Sequence, residues 1–267
     1  ITETKGGIVE VSLNRPDKLN ALDMDMFRSI RQAALDVRKK ARVVILHGQG
    51  KSFCSGLDVL NIVKNNPISA ANELLLQRHE ADTTTVEPNL VDAAQAVART
   101  INLAQQVGYL WRHVPAPVIC AIHGHCYGGG LQIALGADIR LASKDSKLSV
   151  MESVWGLIPD MSASVTLREL VRMDVAKELT FTGRVLSGTE AAELGLVTRV
   201  VEEGDDPLKA ARELAKTLVE KSPDALRLAK QLYQQTWVAK EEDCLLMESE
   251  YQKQLLATYN QIAASGR

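Results

Sequence analysis

Residues 124–138 read Gly124-His-Cys-Tyr-Gly-Gly-Gly-Leu-Gln-Ile-Ala-Leu-Gly-Ala-Asp138, and the fold class turns on how this stretch is understood. Just upstream, Val118-Ile-Cys-Ala-Ile122 is an unbroken apolar run of strand length, bounded by Pro117 and Gly124. Downstream, Leu131 to Ala137 has Gln132 as its one polar side chain, the pattern of a short helix buried on most sides. Gly128, Gly129 and Gly130 fall at the junction. With no Cβ atoms there, the backbone can approach another group closely. A helix starting behind them offers unpaired N–H groups and the positive end of its dipole. Donors held in place before a reaction suit negative charge that develops on an oxygen. The stretch is not a dinucleotide fingerprint, because the Gly-x-Gly-x-x-Gly spacing is missing. A tight packing loop with no ligand is the remaining alternative.

Working outward, strands and helices alternate on both sides. Ile8 to Asn14 alternates apolar and polar residues like a strand with one exposed face. Asp23 can cap a helix whose apolar positions Met26, Phe27, Ile30, Ala33, Ala34 and Val37 recur at helical spacing, before the basic run Arg38-Lys39-Lys40. Val43 to Leu46 is a fully apolar strand. The Gly50-Lys51-Ser52 that follows ends like a phosphate loop, but Ile45 stands where the first glycine of that motif belongs. Phe53 to Asp58 is a turn into another helix. The pattern loosens from Lys64 to Pro88, where a short amphipathic helix fits. A long helix then runs from Asn89 to His113, with Ala94, Val97, Ile101, Ala104 and Leu110 on one face. After the glycine loop come strands at Ile139 to Ala142, Lys147 to Val150 and Val197 to Val201, with helices Ser164–Val171, Val175–Phe181 and Gly188–Leu194 among them. This alternation predicts an α/β layer structure with a covered sheet. Past Gly204 the pattern is helical throughout: 208–221, 225–235 and 241–262. Its apolar stripes, Leu245, Met247 and Leu255 among them, read as lying away from the sheet and against neighbouring subunits.

The composition narrows the partners. The 267 residues carry a net charge of −2, with no Lys or Arg run of nucleic-acid-binding length. Aromatic residues are only 4%, too few for base-stacking platforms. No apolar window spans a membrane. The N-terminal residues form a polar segment and a strand rather than a signal peptide, and a segment removed upstream would leave no trace here. Cys54, Cys120, Cys126 and Cys244 are irregularly spaced in apolar surroundings, as expected of reduced thiols in a cytoplasmic protein. Cys120, His123, His125 and Cys126 lack the paired ligand turns of a structural zinc site, so no metal is expected.

Several segments carry a resemblance. They are Asn14-Arg15-Pro16 with Leu19-Asn20-Ala21-Leu22, then Phe53-Cys54-Ser55-Gly56-Leu57-Asp58, then Gly128-Gly129-Gly130 with Ala137-Asp138-Ile139. Gly156-Leu157-Ile158-Pro159, Phe181-Thr182-Gly183 and the stretch from Ala191 to Val197 continue the series. In this order, over nearly the whole chain, they resemble the crotonase, or enoyl-CoA hydratase/isomerase, family. The resemblance implies a crotonase-like spiral of ββα units over residues 1–203 and a C-terminal helical trimerisation region over 204–267. It further implies a homotrimer, or a homohexamer built as a dimer of trimers. The implied substrate is an acyl-CoA thioester, with no cofactor beyond its CoA moiety. Its thioester oxygen would sit between the N–H groups of Leu57 and Gly129, an oxyanion hole, with Ser55, Gly56, Asp58 and Gly128 in the substrate-binding surroundings. This agrees with the electrostatics inferred from the glycine loop.

The acid–base residues depart from the family pattern. Hydratases of the family use two glutamates. The second matches Glu152, whereas the first matches Gln132, an amide that can hold a water but has no usable pKa for taking its proton. Asp160 falls where members that shift conjugated double bonds carry a second acid, although those members have an aspartate at position 132. Each residue also has a plain structural reading: Gln132 as a hydrogen-bonding group inside a buried helix, Glu152 as a salt-bridged core acid, Trp155 as packing. An unpaired buried carboxylate is costly and is tolerated mainly at functional sites, which favours Glu152 as base and acid. Double-bond isomerisation is therefore the leading expectation. Hydration by Glu152 alone is the alternative, and a non-catalytic acyl-CoA binder is a third.

Overall fold

The computed structural model describes residues 1–3, 6–38, 40–64, 67–76, 93–202 and 204–266. Strand β1 (Thr2–Glu3) pairs antiparallel with β2 (Ile8–Leu13). Helix α1 (Met24–Val37) follows; the Asp23 carboxylate accepts a hydrogen bond from the Met26 N–H at 2.8 Å, and the six apolar positions legible in the sequence are the six that are buried. Next come β3 (Val43–Gly48), α2 (Val59–Lys64), α3 (Pro67–Ala71) and a single π-turn at Asn72–Leu76. The remainder of the segment expected to be loose, residues 77–88, and the first four residues of the next expected helix, 89–92, lie outside the described residues.

The long helix expected from Asn89 to His113 is instead broken. It forms α4 (Ala93–Thr100), α5 (Leu103–Tyr109) and a 3₁₀ turn at Leu110–His113. The cause is Asn102. Its side chain accepts from the Gln105 N–H at 2.8 Å, while the Gln105 side chain accepts from the Asn102 N–H at 3.2 Å. This capping box starts a new helix inside an apolar period that looks continuous.

Beyond it run β4 (Val118–Ile122), β5 (His125–Tyr127), α6 (Gly129–Leu135), β6 (Ile139–Ala142) and β7 (Lys147–Ser149). They are followed by α7 (Ala163–Leu170), α8 (Met173–Thr182), β8 (Leu186–Ser187), α9 (Gly188–Glu193) and β9 (Arg199–Val200). The main sheet has the order β1-β2-β3-β4-β6-β9, parallel from β2 onward. A smaller sheet, β5-β7-β8, stands apart from it. The glycine loop thus leaves from the short strand β5 rather than directly from β4.

The continuous apolar runs of β3 and β4 arise because both faces of the sheet are covered. Val44, Leu46, Val118, Cys120 and Ile122 join the larger core with α1, α5 and α6, while Val43, Ile45, Ile119 and Ala121 face the other way. That second face is covered by α10 (Pro207–Val219), through Ala211 and Ala215. Helix α10 therefore packs on the sheet, contrary to the reading that everything past Gly204 lies away from it. Its small residues let the helix come close, a feature that a search for large apolar stripes passes over. Helices α11 (Pro223–Thr236), α12 (Glu241–Leu255) and α13 (Tyr259–Ser265) complete the chain; α12 and α13 are separated where Thr258 caps a new helix, and neither has a buried residue. The exposed apolar side chains of these two helices and the turn between them include Leu245, Leu246, Leu256, Tyr259 and Ile262.

Candidate active site

The segment before α1 holds the loop that enters the site. Leu19 and Asn20 both take left-handed backbone conformations, φ +49° and +56°. Asn20 is fully buried, and its amide donates to the carbonyls of Gln49 (2.9 Å) and Ser52 (2.8 Å), while its oxygen accepts from the Arg15 N–H (2.8 Å). The Arg15 guanidinium lies 3.2 Å from both Asp23 and Asp58. Asp58 also accepts from the Asn61 N–H at 3.2 Å at the start of α2. Its side chain thus anchors the loop. The Ser55 hydroxyl likewise reaches back to the Lys18 carbonyl, at 3.5 Å.

This scaffold sets the register of residues 53–58. Leu22 bridges Leu57, with bonds from Leu22 N–H to the Gly56 carbonyl (2.8 Å) and from Asp58 N–H to the Leu22 carbonyl (2.9 Å). In a parallel bridge of this kind the N–H of Leu57 itself points away from Leu22. On the other side Cys54 bridges Cys126, so the two segments run together toward Leu57 and Gly129. Gly56 is required here: its φ is +93°, and a Cβ would stand 3.0 Å from the Tyr127 carbonyl oxygen. Gly129 is the first residue of α6, where no carbonyl of the helix can accept its N–H. Among the described residues, neither the Leu57 nor the Gly129 N–H has an acceptor. Two neighbouring free donors can hold one oxygen and stabilise charge on it.

The acids lie on the next turn of the chain. Glu152 opens a 3₁₀ turn, Glu152–Trp155, and is 8% exposed. Its Oε1 accepts from the Gln132 Nε2 at 2.6 Å. Its Oε2 is buried with no partner among the described residues. Gly128, with φ +49°, makes room for this carboxylate, since a Cβ would lie 3.3 Å from Oε1. Burial pushes the Glu152 carboxyl above its usual range; main-chain N–H groups and the Gln132 amide pull it down in part, and the nearby Asp160 pushes it up further. The protein around Asp160 raises that carboxyl too, although the residue reaches solvent. Gln132 is 2% exposed, and its Oε1 accepts from the N–H groups of Met161 (2.8 Å) and Ala163 (3.3 Å). The structure therefore brings Gly128, Gly129, Gln132, Glu152 and Asp160 into one neighbourhood, with Leu57 on its far side.

A model of the enoyl-CoA hydratase/isomerase family matches residues 8–208. The chain belongs to this family. It is 30% identical over 264 residues to a short-chain-enoyl-CoA hydratase of Clostridium acetobutylicum, covering 98% of this chain and 90% of that protein. It is also 30% identical over 233 residues to the mitochondrial Δ(3,5)-Δ(2,4)-dienoyl-CoA isomerase of Mus musculus, covering 86% of this chain but only 66% of the relative. The crystal structure of an enoyl-CoA hydratase from Bacillus anthracis superimposes with a TM-score of 0.78 at 27% identity, over 96% of this chain and 90% of that one. The crotonase fold is shared across these comparisons.

Against this family background, two local features stand out. Val154, Trp155, Leu157 and Ile158, between the two acids, are 53–76% exposed, so Trp155 is not the packing residue it was expected to be. A 3₁₀ turn closed by Gly156 at φ +71° turns these side chains outward. The Cys54 thiol, three residues before Leu57, is fully buried and pushed up to about 12 by that burial, so it is no nucleophile. Elsewhere, a cavity of about 350 Å³ between α11 and the core is lined by Arg112, Asp138, Arg140, Glu169 and Lys230. Arg112 pairs with Glu169 (2.8 Å) and Lys230 with Asp138 (2.7 Å), while Arg140 donates to the carbonyls of Leu196 and Ala137, so each of these five charged groups has a partner. What sequence reading missed is the pair of main-chain donors at Met161 and Ala163. Backbone groups leave no residue signature, and the start of a helix just after Pro159 is the only clue.

Proposed function

We propose that the protein shifts a double bond in an enoyl- or dienoyl-CoA by moving a proton next to the thioester carbonyl and along the conjugated system. The observation that carries this reading is Glu152 with one free, buried oxygen, Asp160 close enough to act on it, and an amide at position 132. The thioester oxygen accepts from the Leu57 and Gly129 N–H groups. Oε2 of Glu152 takes the proton, and the C–H electron pair passes into the enolate held by those donors. Return of a proton further along the chain, from Glu152 or from Asp160, gives the isomer with no change in composition. A carboxyl raised above its usual range, as both Glu152 and Asp160 are, suits the task, because it holds a proton more readily between the two steps. The exposed apolar side chains at 154–158 offer a surface for an acyl group. No cofactor is needed beyond the CoA of the substrate. The uncovered apolar side chains of α12 and α13 support association of copies of the chain.

Hydration by Glu152 alone is the second reading, favoured by the same free oxygen. Against it, the Gln132 oxygen already accepts from two N–H groups and so cannot also accept from a water, and an amide has no usable pKa for taking a water's proton. The test is a panel of trans-2-, 3- and 3,5-enoyl-CoA esters of several lengths, assayed with wild type and Glu152→Gln. The expected result is isomerisation of 3- or 3,5-enoyl esters, reduced ~10²–10⁴-fold in the variant. Fast hydration of trans-2-enoyl-CoA without isomerisation would overturn the ranking, and unchanged turnover in the variant would remove Glu152 from the mechanism.

A further inference from the structure

An amide can present either of two ends, and at position 132 the surroundings select one. The N–H groups of Met161 and Ala163, at the start of α7, both point at one atom of the side chain, and two donors require an acceptor there. That atom is Oε1, so Nε2 must face Glu152, and it does so at 2.6 Å. The amide cannot flip without setting its own NH₂ against two N–H groups, in a site where Gln132 is 2% exposed. One oxygen of Glu152 is therefore permanently occupied by a neutral donor. The other has no partner among the described residues.

We propose that Gln132 is a positioning residue: oriented by the Met161 and Ala163 N–H groups, it engages Oε1 of Glu152, fixes that carboxylate's rotamer, and leaves Oε2 as the single oxygen through which protons pass. The inference rests on the proposed role of Glu152 as the base. It adds that position 132 decides the charge state and the geometry of that base rather than touching the substrate. A carboxylate at 132 would do the opposite. Held by the same two N–H groups it would stay ionised, and its second oxygen would face Oε1 of Glu152 as a like charge. The proton of the pair would then reside on Glu152, which would be an acid where the wild type has a base. Asp160 is the other charged group acting on Glu152 among the described residues, and it also favours the protonated form. The Gln132 amide is the one side-chain donor that opposes it.

The experiment is carboxyl ¹³C NMR of the full-length protein labelled at glutamate, with the Glu152 signal assigned by its loss in Glu152→Gln. Three proteins are titrated: wild type, Gln132→Glu and Gln132→Met. In Gln132→Glu the Glu152 titration is expected to move up by about one pH unit or more, and in Gln132→Met to move up less. The side-chain NH₂ protons of Gln132 in the wild type should shift over the same pH range as Glu152. In parallel, the acid limb of kcat on the best substrate of the panel should move up with the NMR titration while KM changes less than about twofold. A merely structural role would lower activity without moving that limb. A Glu152 titration that stays at its wild-type position in folded Gln132→Glu overturns the inference. The NMR arm needs no turnover, so failure of the isomerase reading would show separately, as inactivity of the wild type on every ester. If Gln132→Met does not fold, Gln132→Glu still decides, because it keeps an acceptor for Met161 and Ala163.

Discussion

The assignment of Gly129 as an oxyanion donor can be tested by removing its N–H, with a second variant that matches the added side chain. Gly129→Pro does this at a position where proline is well tolerated, the first residue of a helix. The preceding Gly128 has no Cβ to meet the proline ring. The substitution also adds a Cβ, which would stand 2.7 Å from the Met161 Sδ and 2.9 Å from the Leu22 Cδ1. Both are ends of flexible side chains, so the expected cost is overpacking of about 1–3 kcal/mol rather than loss of the fold. Gly129→Ala adds the same Cβ and keeps the N–H, and it is therefore the reference. Loss of one oxyanion donor typically costs ~3–4 kcal/mol of barrier. At 1.36 kcal/mol per decade this puts kcat for Gly129→Pro about 10²–10³-fold below that for Gly129→Ala. The assay is steady-state turnover of both variants on the preferred enoyl-CoA, with thermal melts showing that both lose similar stability. If Gly129→Pro stays within about threefold of Gly129→Ala, the N–H does not bind the developing charge and the assignment is wrong.

Asp160→Asn removes the like charge that raises Glu152, so the acid limb of kcat/KM is expected to move to lower pH, and turnover of 3,5-dienoyl esters should fall more than that of 3-enoyl esters; a pH profile on both substrates checks this. Glu152→Gln is expected to melt higher than wild type at pH 8. The buried carboxyl lies above its unfolded value, so ionisation weakens the fold once the pH exceeds that value, and the gain should vanish as pH falls below the usual carboxylate range. Melting curves at pH 4, 6 and 8 decide it. Truncation after Ala239, which deletes α12 and α13 but keeps α10 on the sheet, is expected to leave a folded chain of altered oligomeric state by light scattering. Truncation after Gly204 should aggregate, because it uncovers Val43, Ile45, Ile119 and Ala121.

Much of the architecture was legible because local chemistry specifies it. The six buried positions of α1 and its Asp23 cap lie within 15 residues of one another, and β3 and β4 are each a single apolar run next to its own bounding turn. Where local reading failed, a polar interaction or a small residue had overruled apolar periodicity. The Asn102–Gln105 capping box splits one helical period into two helices. Ala211 and Ala215 bring α10 onto the sheet with side chains too small to mark a stripe.

The candidate site divides in the same way. Its residue types, two acids, an amide and the glycines, were readable one by one, and their place in a known family pattern was readable from their order. Their relationships were not. The segments that carry Leu57 and Gly129 adjoin because Cys54 pairs with Cys126 across 72 residues, Leu22 bridges Leu57, and Asn20 holds Gln49 and Ser52. Gln132 faces Glu152 with its nitrogen because main-chain groups at Met161 and Ala163 occupy its oxygen. Backbone donors belong to every residue type alike, so no sequence pattern says where they point. Which oxygen of Glu152 is free, and hence what the site can do, was decided only when the chain folded back on itself.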